Sequence, residues 1–279
     1  MTAGTFIRGA SLRLSESGSE SPWLDAMLLL AMALGTNKER MLAALPDELT
    51  NEQVQTATEY IDRRMSGEIL AYIQGTKEFH GRNFLVGPGV LVPRPETEHL
   101  VDWVLECFSA NKSLRLHDTC TGTGCIPLTL SLEKPDWIIS ASDISEEALV
   151  WARKNAALLG VGAVAFSKAD LLANVKTESF DAITANPPYV NTHDTLQLLE
   201  SGWKEPSLAL DGGDDGLSII RRIASQARSA LHKGGGLYLE IGDGQAQDVH
   251  DILLEENFVD ISLRKDLAGI PRVCHGIRP

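Results

Sequence analysis

The sequence lacks any long apolar run. Its longest such stretch, residues 26–34, is far shorter than the roughly 20 residues that a membrane-spanning helix needs. The first twenty residues contain no continuous apolar segment of the kind found in secretory leaders. Only four cysteines occur in 279 residues, which does not indicate a disulfide framework. We therefore expect a cytoplasmic protein with reduced thiols and no membrane partner.

The sequence also has little positive charge. Lys and Arg number 25 against 38 Asp and Glu, which gives a net charge of −13. Non-specific binding to nucleic acid depends on Lys and Arg contacts to phosphate, so a surface that coats DNA or RNA is disfavoured. We expect no direct nucleic-acid partner. Low-complexity runs and tandem repeats are missing as well, which excludes solenoid and disordered classes.

The N-terminal residues have the pattern of a small helical domain. Ser21 before Pro22 predicts one helix start, and the spacing of Thr50 and Gln53 is that of a capping box. A glycine-containing stretch with strand-like alternation follows and predicts a hairpin. We predict a helical domain over 1–78, a hairpin connector over 79–94 and a catalytic domain over 95–279.

From about residue 95 the pattern alternates between helix and strand. Apolar strands are predicted at residues 114–117, 137–142, 164–168, 180–185 and 237–241, and a strand-rich tail at 258–277. Such alternation predicts an α/β fold with an open, mostly parallel sheet that helices cover on both faces. In these sheets ligands bind at the carboxyl ends of the strands, where each motif below is placed.

The first motif is a glycine turn, residues 118–124 (Asp-Thr-Cys-Thr-Gly-Thr-Gly), after the first of these strands. Glycines allow backbone to approach a ligand closely, although many α/β proteins have such a turn only for packing. The dinucleotide fingerprint G-x-G-x-x-G lacks its third glycine here, which disfavours a dehydrogenase. Asp143 ends the next strand, where an acid can accept hydrogen bonds from ribose hydroxyls or cap a helix. Because Ser145 supplies a cap, we favour the ribose.

The most specific motif is Asn-Pro-Pro-Tyr at residues 186–189, directly after the strand at 180–185. An amide nitrogen is a poor nucleophile because its lone pair is delocalised. The Asn186 side-chain oxygen and the Pro187 carbonyl can accept its two N–H groups and aim the nitrogen at a methyl donor. The Tyr189 ring offers a face to the amide plane. This is a positioning mechanism that needs neither a metal nor a strong base.

These residues resemble the amino-methyltransferases, which use S-adenosyl-L-methionine on adenine, cytosine or glutamine amides. Residues 91–98 (Leu-Val-Pro-Arg-Pro-Glu-Thr-Glu) and 205–216 (Glu-Pro-Ser-Leu-Ala-Leu-Asp-Gly-Gly-Asp-Asp-Gly) are similar to the release-factor glutamine methyltransferases, the PrmC/HemK family. The ending at 266–272 is similar too. The sister family that acts on a ribosomal-protein glutamine usually has Pro-Arg-Ser-Pro-Ile where this chain has Pro-Arg-Pro-Glu-Thr, which favours the release factor.

The resemblance implies a Rossmann-like seven-stranded methyltransferase domain with a small all-helical N-terminal domain that grips the protein substrate. It implies S-adenosyl-L-methionine as cofactor and, as substrate, the glutamine of a Gly-Gly-Gln motif in a peptide chain release factor; we expect a monomer. The implied cofactor-binding residues are Asp118, Cys120, Thr121, Gly122, Thr123, Gly124, Asp143, Asp170, Leu171 and Asn186. The implied catalytic and substrate-binding residues are Asn186, Pro187, Pro188 and Tyr189. Where Cys120 stands, the family usually has glycine, and where Leu171 stands some members have an aromatic residue.

Three alternatives stay open at this point. A nucleic-acid adenine methyltransferase shares the glycine turn and the Asn-Pro-Pro-Tyr motif, but it calls for a basic groove that this acidic chain does not show. A ribosomal-protein glutamine methyltransferase is the nearer alternative. A non-enzymatic nucleotide-binding module is the third, and it leaves Asn186 without a role. His117, Cys120 and Cys125 fit no zinc spacing, and no metal site is predicted.

Overall fold

The computed structural model describes residues 1–111, 113–173 and 175–279, which form two compact units. The helical unit contains Met1–Thr76 and Gly202–Lys204, and the sheet unit contains Lys77–Ser201 and Glu205–Pro279. The three-part division with a separate connector at 79–94 stays a prediction. Within the described ranges, no helix has both the length and the apolar character to cross a membrane.

The helical unit contains short and medium helices joined by tight turns. They are α1 (Ala3–Glu16), α2 (Pro22–Ala33), α3 (Lys38–Ala43), α4 (Asn51–Met65) and α5 (Leu70–Gln74). The capping box predicted at Thr50 and Gln53 is confirmed, since each side chain accepts the other residue's backbone N–H. Pro22 opens α2 as predicted, but the Ser21 side chain makes no capping hydrogen bond. The fixed φ of proline therefore starts this helix without help from the serine.

The helical unit has an apolar core of its own with one buried acid at its margin. The core is formed by residues of α1, α2, α3, α4 and α5, among them Ile7, Leu14, Leu29, Met41 and Ile61, all with no exposed surface. Asp25 is 6% exposed, and it accepts hydrogen bonds from Arg64 Nε at 2.8 Å and Ser19 Oγ at 2.9 Å. The buried carboxylate is thus paired with a cation inside its own unit.

The sheet unit begins with a two-stranded hairpin, β1 (Thr76–Phe79) and β2 (Arg82–Leu85). A 3₁₀ turn at Pro95–Thr97 and the helix α6 (Glu98–Cys107) lead into the main sheet. Its strands are β3 (Arg115–Thr119), β4 (Ile138–Asp143), β5 (Ala165–Lys168), β6 (Phe180–Ala185), β7 (Leu231–Glu240), β8 (Val259–Lys265) and β9 (Pro271–Ile277). The helices between them are α7 (Cys125–Glu133), α8 (Glu146–Leu159), α9 (Thr192–Glu200), α10 (Ser218–Ala230) and α11 (Ala246–Glu255), with a 3₁₀ turn at Ser207–Ala209.

The main sheet has seven strands in the order β5-β4-β3-β6-β7-β9-β8. The pairs among β3, β4, β5, β6 and β7 are parallel, whereas β9 is antiparallel to both β7 and β8. The predicted α/β fold with a mostly parallel sheet is confirmed. The chain proceeds outward from β3 in one direction and returns to β6 on the other side. The carboxyl ends of β3 and β6 therefore flank the switch point at which such sheets bind ligands.

Alternate residues of the strands belong to two apolar clusters, one on each face of the sheet. Ala182 and Tyr238 belong to one cluster, while their neighbours Ile183 and Leu237 belong to the other. Successive side chains of a strand point to opposite faces, so both faces of β6 and β7 are buried under helices. The buried sheet holds the strand ends in fixed positions, and the candidate site is built on them.

Candidate active site

A cavity of about 540 Å³ lies at the carboxyl ends of the parallel strands. Its volume is in the range typical of small-molecule sites. The predicted residues that line it are Cys120, Thr121, Gly122, Thr123, Asp143, Asp170, Leu171, Asn186 and Pro188. Asp118, Gly124, Pro187 and Tyr189 are placed behind this lining rather than in it. The fold thus brings together, at one cavity, residues that are up to 70 positions apart in the sequence.

The glycine turn at 118–124 has the left-handed backbone that its residue types suggest. Gly122 has φ 54° and Gly124 has φ 78°. A Cβ at Gly124 would lie 3.1 Å from the Leu128 side chain and 3.3 Å from that of Ala152, so the turn packs tightly on α7 and α8. Cys120 adopts φ 58°, a conformation that costs an L-residue about 1–2 kcal/mol. The sequence therefore places a strained thiol where glycine is unstrained.

Asp143 connects the glycine turn to the start of α8. Its Oδ2 accepts the Gly122 N–H and its Oδ1 accepts the Ser145 N–H, both at 2.9 Å. The Ser145 hydroxyl in turn accepts the Ala148 N–H and caps the helix. Burial raises the pKa of Asp143, and these backbone donors oppose the rise. Capping is thus the role of Ser145, and the Asp143 carboxylate is held at the wall of the cavity.

Asp118 is a buried acid without a cation partner among the described residues. It has no exposed surface, and its Oδ1 accepts the Thr184 hydroxyl at 2.6 Å. Its Oδ2 has no hydrogen-bond partner there. Burial raises the pKa of Asp118 to about 7. The end of β3 therefore supplies an acid that is ready to accept a donor from a ligand.

The Asn-Pro-Pro-Tyr loop at 186–189 is fixed by side chains from other elements. The Asn186 Nδ2 group donates to the Thr97 hydroxyl at 3.1 Å, and the Tyr189 hydroxyl donates to Glu240 Oε1 at 3.3 Å. Gln245 Nε2 donates to the Tyr189 carbonyl at 2.9 Å. Burial, followed by the nearby Glu240 charge, raises the pKa of Tyr189, which keeps its hydroxyl neutral. The loop is therefore held before any ligand arrives.

A second segment, residues 205–216, braces this loop through its backbone. Val190 pairs with Asp211, and the Gly212 N–H donates to the Val190 carbonyl at 2.7 Å. A Cβ at Gly216, whose φ is 73°, would lie 2.4 Å from the Tyr189 carbonyl oxygen. Only glycine permits this approach. The glycines of the second resembling stretch thus have a structural reason, which is contact with the Asn-Pro-Pro-Tyr loop.

The two stretches that carry the resemblance are also bonded to each other. Glu205, whose side chain has no exposed surface, accepts the Val92 N–H at 2.9 Å and forms an ion pair with Arg94. Thr97, in the same first stretch, is 1% exposed and contacts Asn186 as described above. Residues 91–98 and 205–216 therefore form one structure around the loop at 186–189, although more than 100 residues separate them.

Several residues of the site were not predicted from the sequence. Arg222 lines the cavity and forms an ion pair with Asp170 at 2.7 Å. Asn155 has no exposed surface; it accepts the Leu85 N–H at 2.6 Å and donates to the Leu85 and Thr123 carbonyls. It therefore fastens the hairpin to the glycine turn. Its only sequence signal is a polar residue on the apolar side of α8, which many surface helices also contain.

The described residues contain no group of three or more His, Cys, Asp or Glu side chains arranged to hold a metal ion. Cys125 is buried, and burial raises the pKa of its thiol to about 12. His117 is buried between the hydroxyls of Ser140 and Ser142, and burial lowers its pKa to about 4. A neutral histidine and a protonated thiol are therefore packed into the sheet unit.

Two family models match the chain. The PrmC N-terminal domain matches residues 5–75, and the methyltransferase small domain matches residues 99–202. A release factor glutamine methyltransferase of Koribacter versatilis is 40% identical and covers 100% of this chain and 99% of its own length. That of Coxiella burnetii is 38% identical, with 91% of each chain covered.

Solved structures support the fold alone. A methyltransferase from Pyrococcus furiosus has a TM-score of 0.56 at 17% identity and covers 78% of this chain and 98% of its own. A ribosomal protein L11 methylase from Lactobacillus delbrueckii subsp. bulgaricus has a TM-score of 0.52 at 23% identity, with 70% and 84% covered. The fold is that of a methyltransferase and the relatives span the whole chain, so the chain belongs to the release factor glutamine methyltransferase family.

Proposed function

We propose that this enzyme transfers a methyl group from S-adenosyl-L-methionine to the side-chain amide nitrogen of the glutamine in the Gly-Gly-Gln motif of a peptide chain release factor. Its family membership and the Asn-Pro-Pro-Tyr loop support the reaction and the acceptor. We propose further that it acts in the cytoplasm as a monomer without a nucleic-acid partner. The net charge of −13 supports the last point because phosphate contacts need Lys and Arg.

The residues around the cavity fit S-adenosyl-L-methionine. Asp143 offers a carboxylate of the kind that holds ribose hydroxyls, and Ile144 and Leu171 provide apolar surface beside it. The backbone of the glycine turn lies at the amino end of α7, and the acid Asp118 precedes it. We assign the methionine part to residues 118–124 and the adenine border to Asp170 and Leu171. When bound, the cofactor supplies a methyl group on a positively charged sulfur.

The enzyme's own contribution is to orient the glutamine amide. Because Asn186 donates its Nδ2 to Thr97, its Oδ1 is left to accept one N–H of the substrate amide. No described residue donates to Asn186 Oδ1 or to the Pro187 carbonyl, which accepts the other N–H. With both hydrogens fixed, the nitrogen has one remaining direction of attack. Such positioning can contribute roughly 7–11 kcal/mol to catalysis.

Pro187 and Pro188 stiffen this arrangement, and Tyr189 holds it from behind. The fixed φ of proline reduces the number of conformations that the loop can adopt. The methylated nitrogen carries a positive charge and loses its proton readily, so no strong base is required. The single observation that carries the proposal is the bond from Asn186 to Thr97, since it leaves the amide oxygen for the substrate.

The test is transfer of labelled methyl groups to purified release factor, to its Gly-Gly-Ala variant, to a glutamine-bearing ribosomal protein and to duplex DNA. We expect label on the intact release factor alone. Asn186→Ala should lower the rate by about 10²–10³-fold, the usual effect of removing one aligned hydrogen-bonding group. Asn83→Ala, at an exposed position of β2, is the matched control and should keep wild-type activity.

Other labelling patterns would decide against the proposal. Label on DNA would indicate a nucleic-acid enzyme, and label on the ribosomal protein alone would indicate the sister activity. Equal label on the Gly-Gly-Ala variant would show that the glutamine is not the acceptor. Full activity of Asn186→Ala would remove the loop from the mechanism.

A further inference from the structure

Asn186 has a buried partner that is not part of the conventional description of the loop. Thr97 ends the 3₁₀ turn at Pro95–Thr97 and is 1% exposed. Its hydroxyl oxygen accepts the Asn186 Nδ2 group at 3.1 Å. An Asn side chain has an oxygen at one end and an NH₂ group at the other, so its orientation decides whether the substrate meets an acceptor or a donor.

Behind Thr97 lies a buried acid, Glu240, the last residue of β7. It is 1% exposed, and its Oε1 accepts the Tyr189 hydroxyl at 3.3 Å. Burial raises the pKa of Glu240 to about 7, and hydrogen bonding from Thr97 and then Tyr189 partly offsets this rise. Glu240 thus interacts with two hydroxyls, one on each side of the Asn-Pro-Pro-Tyr loop.

The chemistry of these groups fixes the direction of their hydrogen bonds. An ionised carboxylate only accepts hydrogen bonds, so it draws the single hydroxyl proton of Thr97 toward itself. The Thr97 oxygen then has only lone pairs to offer Asn186, and it selects the NH₂ end of the amide. The Asn186 oxygen is consequently turned away from Thr97. One negative charge at the end of β7 therefore determines which atom of Asn186 faces the substrate.

We propose that Thr97 and Glu240 are positioning residues that orient the Asn186 amide with its oxygen toward the substrate glutamine. This inference rests on the proposed function, because the orientation matters only for an acceptor that carries N–H groups. Neither residue takes part in a bond-making step. They act through Asn186 and Tyr189.

The proposal predicts a dependence of the rate on pH. A protonated Glu240 can itself donate to Thr97, which frees the Thr97 proton to seek the Asn186 oxygen and reverses the preferred orientation. Of the groups near Glu240, Glu96 raises and Arg272 lowers its pKa. Cys125 and Tyr189 also contact its field, but burial raises the pKa of each well above neutrality. The rate should therefore fall as the pH decreases through about 7.

The experiment compares Thr97→Val, Thr97→Ser and Glu240→Gln in single-turnover methylation of release factor. Valine has the shape of threonine without the hydroxyl, whereas serine keeps the hydroxyl. We expect Thr97→Val to lower kcat by about 10–100-fold with little change in KM, since misplacing an aligned group can cost on the order of 10²-fold. Thr97→Ser should retain most of the activity. Glu240→Gln should lose the acid limb of the pH profile.

A second measurement does not depend on methylation. The side-chain ¹⁵N amide signal of Asn186, assigned by its loss in Asn186→Ala, should show slow hydrogen exchange in the wild type and in Thr97→Ser. In Thr97→Val it should exchange faster. Thermal unfolding of each variant checks that the chain is folded, and the NMR comparison uses only folded variants.

The outcomes separate the two hypotheses. If the wild-type enzyme does not label release factor, the proposed function fails, and the amide signal still tests the network. If release factor is labelled but Thr97→Val matches Thr97→Ser in kcat, the positioning role is wrong. An acid limb that persists unchanged in Glu240→Gln would likewise remove Glu240 from the network.

Discussion

The helical unit and the sheet unit treat their buried acids in opposite ways. In the helical unit, Asp25 is paired with the Arg64 guanidinium at 2.8 Å. In the sheet unit, Asp118 and Glu240 are more deeply buried, and neither forms an ion pair with a described residue. Hydroxyl groups are their partners instead, and burial raises the pKa of each to about 7.

The difference separates an acid that serves the fold from acids that serve a site. A buried carboxylate with a cation beside it is already neutralised and has no further need of a ligand. A buried carboxylate without one either holds a proton or waits for a donor. Asp118 stands at the end of β3, before the glycine turn, and the proposed cofactor carries an ammonium group and a positive sulfur. The unpaired acid is thus placed where a cationic ligand is expected.

Backbone strain follows the same division. Along Met1–Thr76, which the structure describes throughout, only glycines have positive φ. In the sheet unit, Cys120 has φ 58° and Leu171 has φ 53°, and both line the cavity. Strained residues persist where the surrounding structure holds them, and they are concentrated at binding sites. Here strain and unpaired acids occur together at the same cavity.

The comparison can be broken most directly by neutralising one acid of each kind. Asp118→Asn should weaken binding of S-adenosyl-L-methionine by about 10–100-fold, because a hydrogen bond to a charged group contributes about 1.5–3 kcal/mol. Its unfolding free energy without ligand should not fall. Asp25→Asn should instead lose about 2–3 kcal/mol of stability, since it leaves Arg64 without its partner, and should leave cofactor affinity unchanged. Titration calorimetry and urea unfolding provide the two readouts.

The two substitutions are controls for each other. If Asp118→Asn lost stability and kept its cofactor affinity, Asp118 would be a structural acid of the same kind as Asp25. Thr184→Val, which removes the hydroxyl that donates to Asp118 Oδ1, offers a milder check in the same direction.

Much of the sheet unit could be predicted because its signals are local. The strand at 180–185 coincides with β6, since an apolar run directly before Asn-Pro has no competing reading. The strand predicted at 237–241 begins six residues earlier, at Leu231. The polar and glycine-rich segment at 232–235 conceals that start, and a register shift between Phe180 and Ala182 accommodates it. Patterns of side-chain type cannot report such irregular pairing.

The site was less predictable because it depends on burial and on distant partners. Residues 186–189 stand out by their composition, whereas the role of Thr97 requires knowing that it contacts Asn186 from 89 positions away. Glu240 reads as an ordinary polar strand end until its burial is known. Asn155 gives no sign of its three hydrogen bonds. Motifs therefore locate the reacting groups, and tertiary packing selects the residues that hold them.

The pH dependence of stability sharpens the comparison at a smaller scale. Asp118 has an ordinary pKa of 3.8, which burial raises to about 7 in the folded protein. The folded state therefore binds this proton more tightly than the unfolded state does. The resulting stability is fully present below pH 3.8 and is lost as the pH rises through about 7. Relative to Asp118→Asn, the wild type should lose up to about 1.4 kcal/mol per pH unit in this window.

Urea unfolding of both proteins at several pH values between 4 and 8 measures this difference. A constant difference across the range would mean that Asp118 titrates normally and is not desolvated. Using the difference between the two proteins removes the contribution of all other acids, Glu240 included.

The smallest expected effect concerns the strained turn. Cys120→Gly should relieve about 1–2 kcal/mol of left-handed strain. Since glycine costs roughly 0.5–1 kcal/mol in chain entropy, the net stabilisation should be below about 1 kcal/mol. Cys120→Ala removes the thiol but keeps the Cβ, and it should show no gain. Thermal unfolding of the two variants, with and without cofactor, tests this; a Cys120→Gly protein less stable than Cys120→Ala would contradict the strain argument.

The pairing of Val190 with Asp211 makes the twenty residues between them a closed excursion of the chain. Because both ends of the excursion are tied by backbone hydrogen bonds, its length has little leverage on the tetrapeptide beside it. Doubling the length of such a loop costs only about 0.6 kcal/mol. Insertions and deletions within residues 192–209 are therefore tolerable changes over evolutionary time. In this part of the chain the enzyme can adapt its outline to a different protein surface without disturbing the chemistry.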